Sequence, residues 1–177
     1  MANHGRFSAV FIGSQSLLIR CAERFMESGH ELRAVVSADA AVRRWAAEHG
    51  QLVIEPGPGL ATRLQALAFD YLFSVVHLSI VPANVLALPR IGAINFHDGP
   101  LPAYAGLNVT SWAILNQERE HGISWHLMEE AVDRGDILEQ VRLPIDEDDT
   151  ALTVNAKCFE AGLFCGRLYR AVAVGSD

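Results

Sequence analysis

The sequence predicts an α/β protein whose sheet is mostly parallel and carries helices on both faces. Short apolar runs, which are typical of buried strands, alternate with amphipathic segments from the start of the chain to His97. The connections between the predicted strands are long enough to hold a helix, as parallel neighbours require. Half of the 177 residues are apolar, so the chain can bury a sizeable core.

The alternation begins with Phe7 to Gly13, predicted as a buried strand, and Ser16 to Ser28, predicted as a helix because Leu17, Cys21 and Phe25 recur every four residues. The connection between them lacks the full glycine fingerprint of dinucleotide sites, which favours a plain tight turn. The same pattern predicts further strands over Glu31 to Ser37, Gln51 to Ile54, Phe69 to Val76 and Gly92 to His97, and helices over Ala38 to His49, Leu60 to Ala68 and Pro82 to Leu88.

After the loop Asp98 to Leu107, the pattern predicts a helix over Thr110 to Asn116 and two strands, Gly122 to Met128 and Ile137 to Leu143. The segment between these strands is polar and indicates a loop instead of a helical crossover. A last helix is predicted to begin near Thr150. Its expected inward face consists of Leu152, Ala156, Phe159 and Leu163.

Composition narrows the classes of function. No apolar run is long enough to span a membrane and the first residues lack a secretion signal, so we expect a cytoplasmic protein. The net charge of −7 comes without a basic run, which disfavours nucleic acid as a partner of this domain. The cysteines have no CxxC spacing, and we expect no disulfide framework and no metal. Without a repeat or a linker, residues 1–177 are expected to form one domain, either complete or part of a longer multidomain enzyme.

The segment Ile94 to Gly106 is the most informative one for function, because it ends a predicted strand and enters a loop rich in glycine and proline. Alternation along the strand places Asn95 and His97 on one face, at the carboxyl end where ligands gather. An isolated Asn-x-His could serve only to bond loop backbone. A second polar loop, Glu129 to Asp136, follows later in the chain and makes a shared site the better interpretation.

These motifs resemble the signature of folate-dependent formyltransferases. That signature is an Asn-x-His, a Leu-Pro, an aromatic residue with a glycine, and a later Val-Asp-x-Gly-x-Ile. The matching residues here are Asn95, His97, Leu101, Pro102, Tyr104 and Gly106, followed by Val132 to Ile137, with Ile80 to Pro82 upstream. The resemblance covers nearly the whole chain and implies the Rossmann-like formyltransferase fold of glycinamide ribonucleotide, methionyl-tRNA and sugar-amine formyltransferases.

The resemblance also implies a function and a set of site residues. It implies transfer of a formyl group from 10-formyltetrahydrofolate to a primary amine, with Asn95, His97 and Asp133 as the catalytic residues. The residues expected to hold the pterin ring, mainly through backbone groups, are Leu78, Ile80, Val81, Glu130, Ala131 and Val132.

The chemistry of formyl transfer is consistent with this trio. Attack of an amine on a formyl carbon creates a negative oxygen, which the Asn95 amide and the His97 imidazole can stabilise by donating hydrogen bonds. The attacking nitrogen becomes cationic and must lose a proton, and Asp133 is suited to orient His97 and to accept that proton.

Differences from the family signature bear on the acceptor. Gly99-Pro100 replaces a common Ser-Leu, Asp98 replaces a small or prolyl residue, and Ala105 stands where several members carry arginine. The loop is most similar to formylation domains of nonribosomal peptide synthetases, which implies an aminoacyl group on a peptidyl carrier domain as the acceptor. Phe164 and Leu168 are candidates for the docking of another domain.

Alternatives remain at this stage. The chain could be a noncatalytic folate-binding or docking module, a stand-alone enzyme acting on an amino sugar or small amine, or a hydrolase that releases formate. His121 and His126 lie an odd number of residues apart on a predicted strand, which disfavours a metal pair. His77 is either part of the pterin side or a structural histidine, and Trp112 and Trp125 are expected in the core or a pocket wall.

Overall fold

Strands and helices alternate through the computed structural model of the protein, which describes residues 6–163. The strands are β1 (Ser8–Gly13), β2 (Glu31–Val36), β3 (Val53–Ile54), β4 (Tyr71–Val75), β5 (Gly92–His97), β6 (Glu120–Leu127) and β7 (Ile137–Pro144). The helices are α1 (Gln15–Glu27), α2 (Ala40–Glu48), α3 (Leu60–Gln65), α4 (Ala83–Leu86), α5 (Val109–Leu115) and α6 (Ala151–Leu163). Every predicted element is present, with bounds shifted by a few residues at most.

The strands follow the order β3-β2-β1-β4-β5-β6-β7 in the sheet. β1 pairs in parallel with β2 and β4, and β2 pairs in parallel with β3. β6 and β7 are antiparallel, as expected for strands joined by a loop without a helix. The predicted α/β class with a mostly parallel sheet is confirmed. None of the described helices is long and apolar enough to cross a bilayer.

The described chain divides into two compact units, a first unit of residues 6–95 and a second unit of residues 96–163. In the first unit every residue of β1 is buried, and Phe11 stacks on Phe73 with a 4.9 Å distance between ring centroids. Phe25 of α1 packs edge-on against both rings. The predicted stripe of Leu17, Cys21 and Phe25 is confirmed, because all three side chains are buried.

The turn from β1 to α1 requires a glycine. Gly13 has a φ of +141°, and a Cβ there would lie 1.8 Å from the carbonyl oxygen of Val75. Ser14 then donates through its backbone to Val75 and through its hydroxyl to the carbonyl of Val76. The interpretation of this segment as a tight turn between strand and helix is confirmed.

In the second unit the core forms around Phe96, which packs edge-on against Trp125 at a centroid distance of 5.3 Å. The predicted inward face of α6 is wrong in part, because Leu152 is 77% exposed and Ala156 is also exposed. The buried side of the helix consists of Val154, Cys158, Ala161, Gly162 and Leu163. α6 lies so close to Phe96 that a Cβ on Gly162 would be 2.6 Å from the ring, so small residues must face it.

The two tryptophans have different environments. Trp125 is 1% exposed and belongs to the core, as expected. Trp112 of α5 is 55% exposed, so of the two expected places, core or pocket wall, the core is wrong. Its helix buries Val109, Thr110 and Ala113 instead, and this face does not include position 112. Phe164 and Leu168, the candidates for docking, lie outside the described residues.

Candidate active site

His97 is the last residue of β5, and its side chain is 6% exposed. Its Nε2 donates a hydrogen bond to the backbone carbonyl of Tyr104 at 2.5 Å. Its Nδ1 lies 3.9 Å from Oδ2 of Asp133. The structure therefore brings together two residues of the predicted trio, which are separated by a loop, a helix and a strand in sequence.

Asp133 lies in the connection between β6 and β7 with a φ of +54°, and its side chain is only 7% exposed. Oδ2 accepts a hydrogen bond from the backbone N–H of Gly106 at 2.9 Å, and Oδ1 lies 3.5 Å from Nε2 of His126. Burial by itself would raise the pKa of this carboxyl group. The bonds from His126 and Gly106 and the charges of the neighbouring histidines outweigh burial and hold the pKa below its ordinary value.

His126 is a member of this cluster that the sequence did not identify. It lies near the end of β6, and its side chain is 3% exposed. Its Nδ1 donates to the backbone carbonyl of Leu127 at 2.8 Å, which leaves Nε2 directed at Asp133. The sequence feature that could have identified His126 is its position near the carboxyl end of a strand, just before the loop that carries Asp133.

The loop after His97 is held by two side chains that the sequence also did not identify. The buried Ser124 hydroxyl donates to the carbonyl of Gly99 and accepts from the backbone N–H of Leu101. Gln140 donates to the carbonyl of Leu101 at 2.8 Å and to the Ser124 hydroxyl at 2.9 Å. These bonds couple β6 and β7 to the segment that follows His97.

Gly99 explains one difference from the family signature. A Cβ at this position would lie 2.7 Å from the carbonyl oxygen of Tyr104 and 2.9 Å from Nε2 of His97. These are the two atoms that form the short hydrogen bond of His97. A larger residue would have to displace one of them, so glycine is the residue that fits this loop conformation.

His121 occupies the other end of β6 and does not take part in the carboxylate cluster. Its Nε2 donates to the carbonyl of Asp98 at 2.8 Å, and burial lowers the pKa of the imidazole. The ring packs edge-on against Tyr104, with centroids 5.5 Å apart. His121 therefore contacts the loop at the backbone of Asp98 and at the ring of Tyr104, away from the Asp133 carboxylate.

The remaining predicted residues fall in both units. In the first unit Asn95 is half-buried on β5, Leu78 and Ile80 are 75% and 76% exposed, and Val81 is buried. In the second unit Glu130, Ala131 and Val132 are exposed. Each unit thus offers accessible apolar side chains at the predicted positions. His77 is half-buried, and burial lowers its pKa.

Comparison with known proteins agrees with these motifs. The family model described as formyl transferase matches residues 24–163. A methionyl-tRNA formyltransferase of Caldanaerobacter subterraneus is 31% identical over 170 residues, covering 86% of this chain and 55% of the relative. A GDP-perosamine N-formyltransferase of Brucella melitensis is 41% identical over 85 residues, which are 48% of this chain and 33% of the relative.

A solved structure shares the fold. Glycinamide ribonucleotide transformylase 1 from Symbiobacterium toebii superposes with a TM-score of 0.85 at 21% identity, covering 96% of this chain and 87% of that one. The chain spans about half or less of the length of the curated relatives it matches. The family match includes β5, the loop after it and the connection that carries Asp133. This chain belongs to the formyl transferase family.

Proposed function

We propose that this chain transfers a formyl group from 10-formyltetrahydrofolate to a primary amine, with Asn95, His97 and Asp133 as the catalytic residues. The observation that carries the proposal is the buried pair of His97 and Asp133, 3.9 Å apart at the carboxyl end of β5. Membership of the formyl transferase family supports it. The relatives named above carry formyl transfer to an amine in their names.

The donor supplies a formyl carbon that an amine can attack, and the residues of the chain manage the charges that result. A bond forms between the amine nitrogen and the formyl carbon, and the bond from that carbon to the folate nitrogen breaks. The proton lost by the amine passes to Asp133, directly or through water, and Asp133 returns it by the same route to the departing folate nitrogen. The products are a formamide and tetrahydrofolate, so protons and electron pairs balance.

Asp133 is suited to its role because it is ionised at neutral pH. Its lowered pKa keeps the carboxyl group ionised throughout the physiological range, and it also makes the carboxylate a weaker base. Its two oxygens have separate partners, because the Gly106 N–H donates to Oδ2 and Nε2 of His126 faces Oδ1. One oxygen can therefore remain oriented while the other exchanges its partner.

His97 must change a partner to stabilise the developing negative oxygen. Its Nε2 N–H is engaged by the Tyr104 carbonyl, and its Nδ1 faces Asp133. A hydrogen bond to the oxygen therefore requires His97 to share or release the Tyr104 carbonyl when the substrates bind. Asn95, two residues earlier on the same strand, provides the second donor in this proposal.

For the donor, we propose that the pterin ring contacts Leu78, Ile80, Val81 and the backbone of Glu130, Ala131 and Val132. The high exposure of Leu78 and Ile80 supports this role, since apolar side chains of this size gain from being covered. Ile80→Asp should abolish folate binding, because a carboxylate against the ring would be desolvated without a partner. Exposed Leu52→Asp is the control, and equal folate affinity in both variants would place the pterin elsewhere.

For the acceptor, we propose an aminoacyl group held on a peptidyl carrier domain, as in nonribosomal peptide synthesis. The chain has a formal charge of −7 and carries Ala105 where several family members have arginine. An acidic surface offers little to neutralise the phosphates of tRNA, whose affinity for proteins is largely electrostatic. A carrier arm requires only an open approach to the reacting groups.

Other functions predict different outcomes in simple assays. A noncatalytic module would bind the folate without turnover, and a hydrolase would release formate when no amine is present. A stand-alone enzyme would accept an amino sugar or a small amine as well as the carrier substrate. The catalytic proposal is favoured because the sequence retains all three of Asn95, His97 and Asp133, which a module without activity does not need.

The test of the acceptor compares kcat/KM for one amino acid presented free, on tRNA and on a carrier domain. We expect the carrier-bound form to be preferred by at least about tenfold, which corresponds to about 1.4 kcal/mol of transition-state binding. Preference for the tRNA substrate would overturn the assignment of the acceptor. Absence of formyl transfer to every amine would overturn the proposed reaction itself.

A further inference from the structure

The first unit has an open cavity of about 590 Å³ at the carboxyl ends of its parallel strands. Its wall includes Ile12 at the end of β1, residues 56–62, which comprise the loop after β3 and the start of α3, and residues from the segment that begins at His77 after β4. Ligands of parallel α/β proteins bind at this end of the sheet. The volume lies within the range of roughly 300–1,000 Å³ that is typical of small-molecule sites.

The floor and the rim of this cavity differ in polarity. Ile12, Leu60 and Val85 form a buried apolar floor, each at most 7% exposed. Thr62, Ser79 and Asn84 lie at the rim, where their side chains are exposed to solvent. A group that enters the cavity would therefore meet hydrocarbon at its inner end and hydrogen-bonding side chains near the entrance.

None of the described residues that line the cavity is an acid, a lysine or an arginine. His77 contributes no charge at neutral pH, because burial lowers its pKa from an ordinary value that is already below 7. A phosphate or carboxylate inside the cavity would lose its hydration without gaining a counter-charge. The chemistry of the wall thus selects an uncharged group.

The backbone at the edge of the cavity is held in a strained conformation. Val76, directly before His77, has a φ of +52°, which is rare for a β-branched residue. Ser14 fixes this turn by donating its hydroxyl to the Val76 carbonyl at 2.8 Å. Strain that is maintained in this way is typical of functional sites, and here it lies directly before a residue that lines the cavity.

We propose that this cavity is a specificity pocket for the acceptor and holds the uncharged, mainly apolar side chain of the aminoacyl group that is formylated. The inference rests on the proposed function, and it names the class of acceptor. Ile80, which the pterin is proposed to contact, also lines the cavity and is exposed, so this contact belongs to the rim. A pterin ring would fit the floor less well, because its donors and acceptors would face Ile12, Leu60 and Val85 without partners. A hydrocarbon side chain has no hydrogen bonds to lose on this floor, and the burial of its apolar surface is favourable.

The test uses amino acid amides, whose blocked carboxyl group resembles the uncharged thioester of a carrier-bound substrate. The kcat/KM for formyl transfer is measured with leucinamide, glycinamide and the α-amide of aspartate. We expect leucinamide to exceed both of the others by at least about tenfold, since one methylene group in a fitted pocket is worth about 10–200-fold. Equal values for leucinamide and glycinamide would overturn the inference.

A second experiment places a positive charge at the rim of the cavity. Asn84→Arg should shift the ratio of leucinamide to aspartyl amide turnover toward the aspartyl substrate by about tenfold or more. Gln65→Arg adds the same charge at an exposed position of α3 that does not line the cavity, and it should leave the ratio at its wild-type value. Identical ratios in the two variants would contradict the pocket.

A binding measurement separates failure of the pocket from failure of the reaction. Ligand-observed NMR of the wild-type chain with leucinamide or aspartyl amide reports weak binding without any formyl donor. Selective binding of leucinamide that is lost in Asn84→Arg supports the pocket even if no amide is formylated, in which case only the proposed reaction fails. Absence of selective binding in the wild-type chain overturns the pocket even if formyl transfer occurs.

Discussion

At the residue scale, the site is organised by the Asp133 carboxylate between two histidine rings. His97 and His126 each donate one ring N–H to a backbone carbonyl and direct the other nitrogen at Asp133. Because a carboxylate only accepts hydrogen bonds, each of these nitrogens can bond to it only as a donor. In the proposed function, this carboxylate is the group that accepts the proton of the amine.

The lowered pKa of Asp133 predicts a dependence of stability on pH. Because ionisation is favoured in the folded state, Asp133 stabilises the fold above the pKa of an unfolded aspartate, about 3.9, and this contribution is lost as the pH falls through the folded value. We expect Asp133→Asn to be less stable than the wild type at pH 7 and this difference to shrink below about pH 4. Urea unfolding at several pH values measures it.

Asp136→Asn is the matched control, because Asp136 lies in the same connection with an exposed side chain. Its unfolding free energy should follow that of the wild type over the same pH range. A difference between wild type and Asp133→Asn that stays constant down to pH 3 would show that ionisation of Asp133 does not stabilise the fold.

His126 is predicted to act as a positioning residue for Asp133. His126→Ala should reduce kcat by about 10–100-fold through misplacement of the carboxylate, with little change in KM for the donor. His126→Gln keeps an N–H donor and should recover part of the loss. His121→Gln is the control, because His121 bonds the carbonyl of Asp98 and not Asp133. Equal losses of kcat in the two His126 variants, accompanied by equal losses of stability, would indicate a packing role only.

The sequence predicted part of this cluster and missed the rest for a physical reason. His97 and Asp133 belong to motifs of fixed spacing, and the structure brings them together. His126 was weighed only as half of a metal pair, although its partner is a carboxylate in the next loop. That contact depends on the left-handed backbone conformation of Asp133, which no local sequence pattern predicts. Ser124 was missed because bonds to a neighbouring loop leave no periodic signal.

At the element scale, the close packing of α6 against Phe96 determines which residues the helix buries. Gly162→Ala would gain roughly 1 kcal/mol of helix propensity, but its Cβ would lie 2.6 Å from the ring of Phe96. We expect the overlap to dominate and the variant to be destabilised by about 1–3 kcal/mol in urea unfolding. Glu160→Ala, exposed on the same helix, should change the stability by less than about 0.5 kcal/mol. A Gly162→Ala variant as stable as the wild type would contradict the packing.

The prediction of elements succeeded where hydrophobic periodicity is strong and failed where size matters more than polarity. The alternation of strands and helices reproduced the order of elements, and the buried stripe of α1 was predicted correctly. On α6 the large Leu152 was expected inside, yet the helix turns Cys158 and Gly162 inward to approach Phe96. A hydrophobicity pattern does not encode how near two elements come to each other.

At the scale of the whole molecule, the motifs and their order identify the family, whereas the identity of the acceptor depends on parts of the chain outside these motifs. The motifs of β5 and of the Asp133 connection lie within the region that the family model matches. The relatives are named for different substrates, methionyl-tRNA and GDP-perosamine, and this chain covers only part of their length. In our proposal, acceptor choice depends on loops and cavities such as the uncharged one in the first unit.

Formyl transfer itself is tested most directly by following an isotopically labelled formyl carbon from 10-formyltetrahydrofolate into the amine product by mass spectrometry. We expect the wild-type chain to produce labelled formamide, and His97→Ala to lose at least about 100-fold in kcat, the typical cost of one oxyanion donor. His49→Ala, exposed at the end of α2, should retain wild-type turnover. Transfer of the label by His97→Ala at the wild-type rate, in a variant with an intact circular dichroism spectrum, would contradict the proposed mechanism.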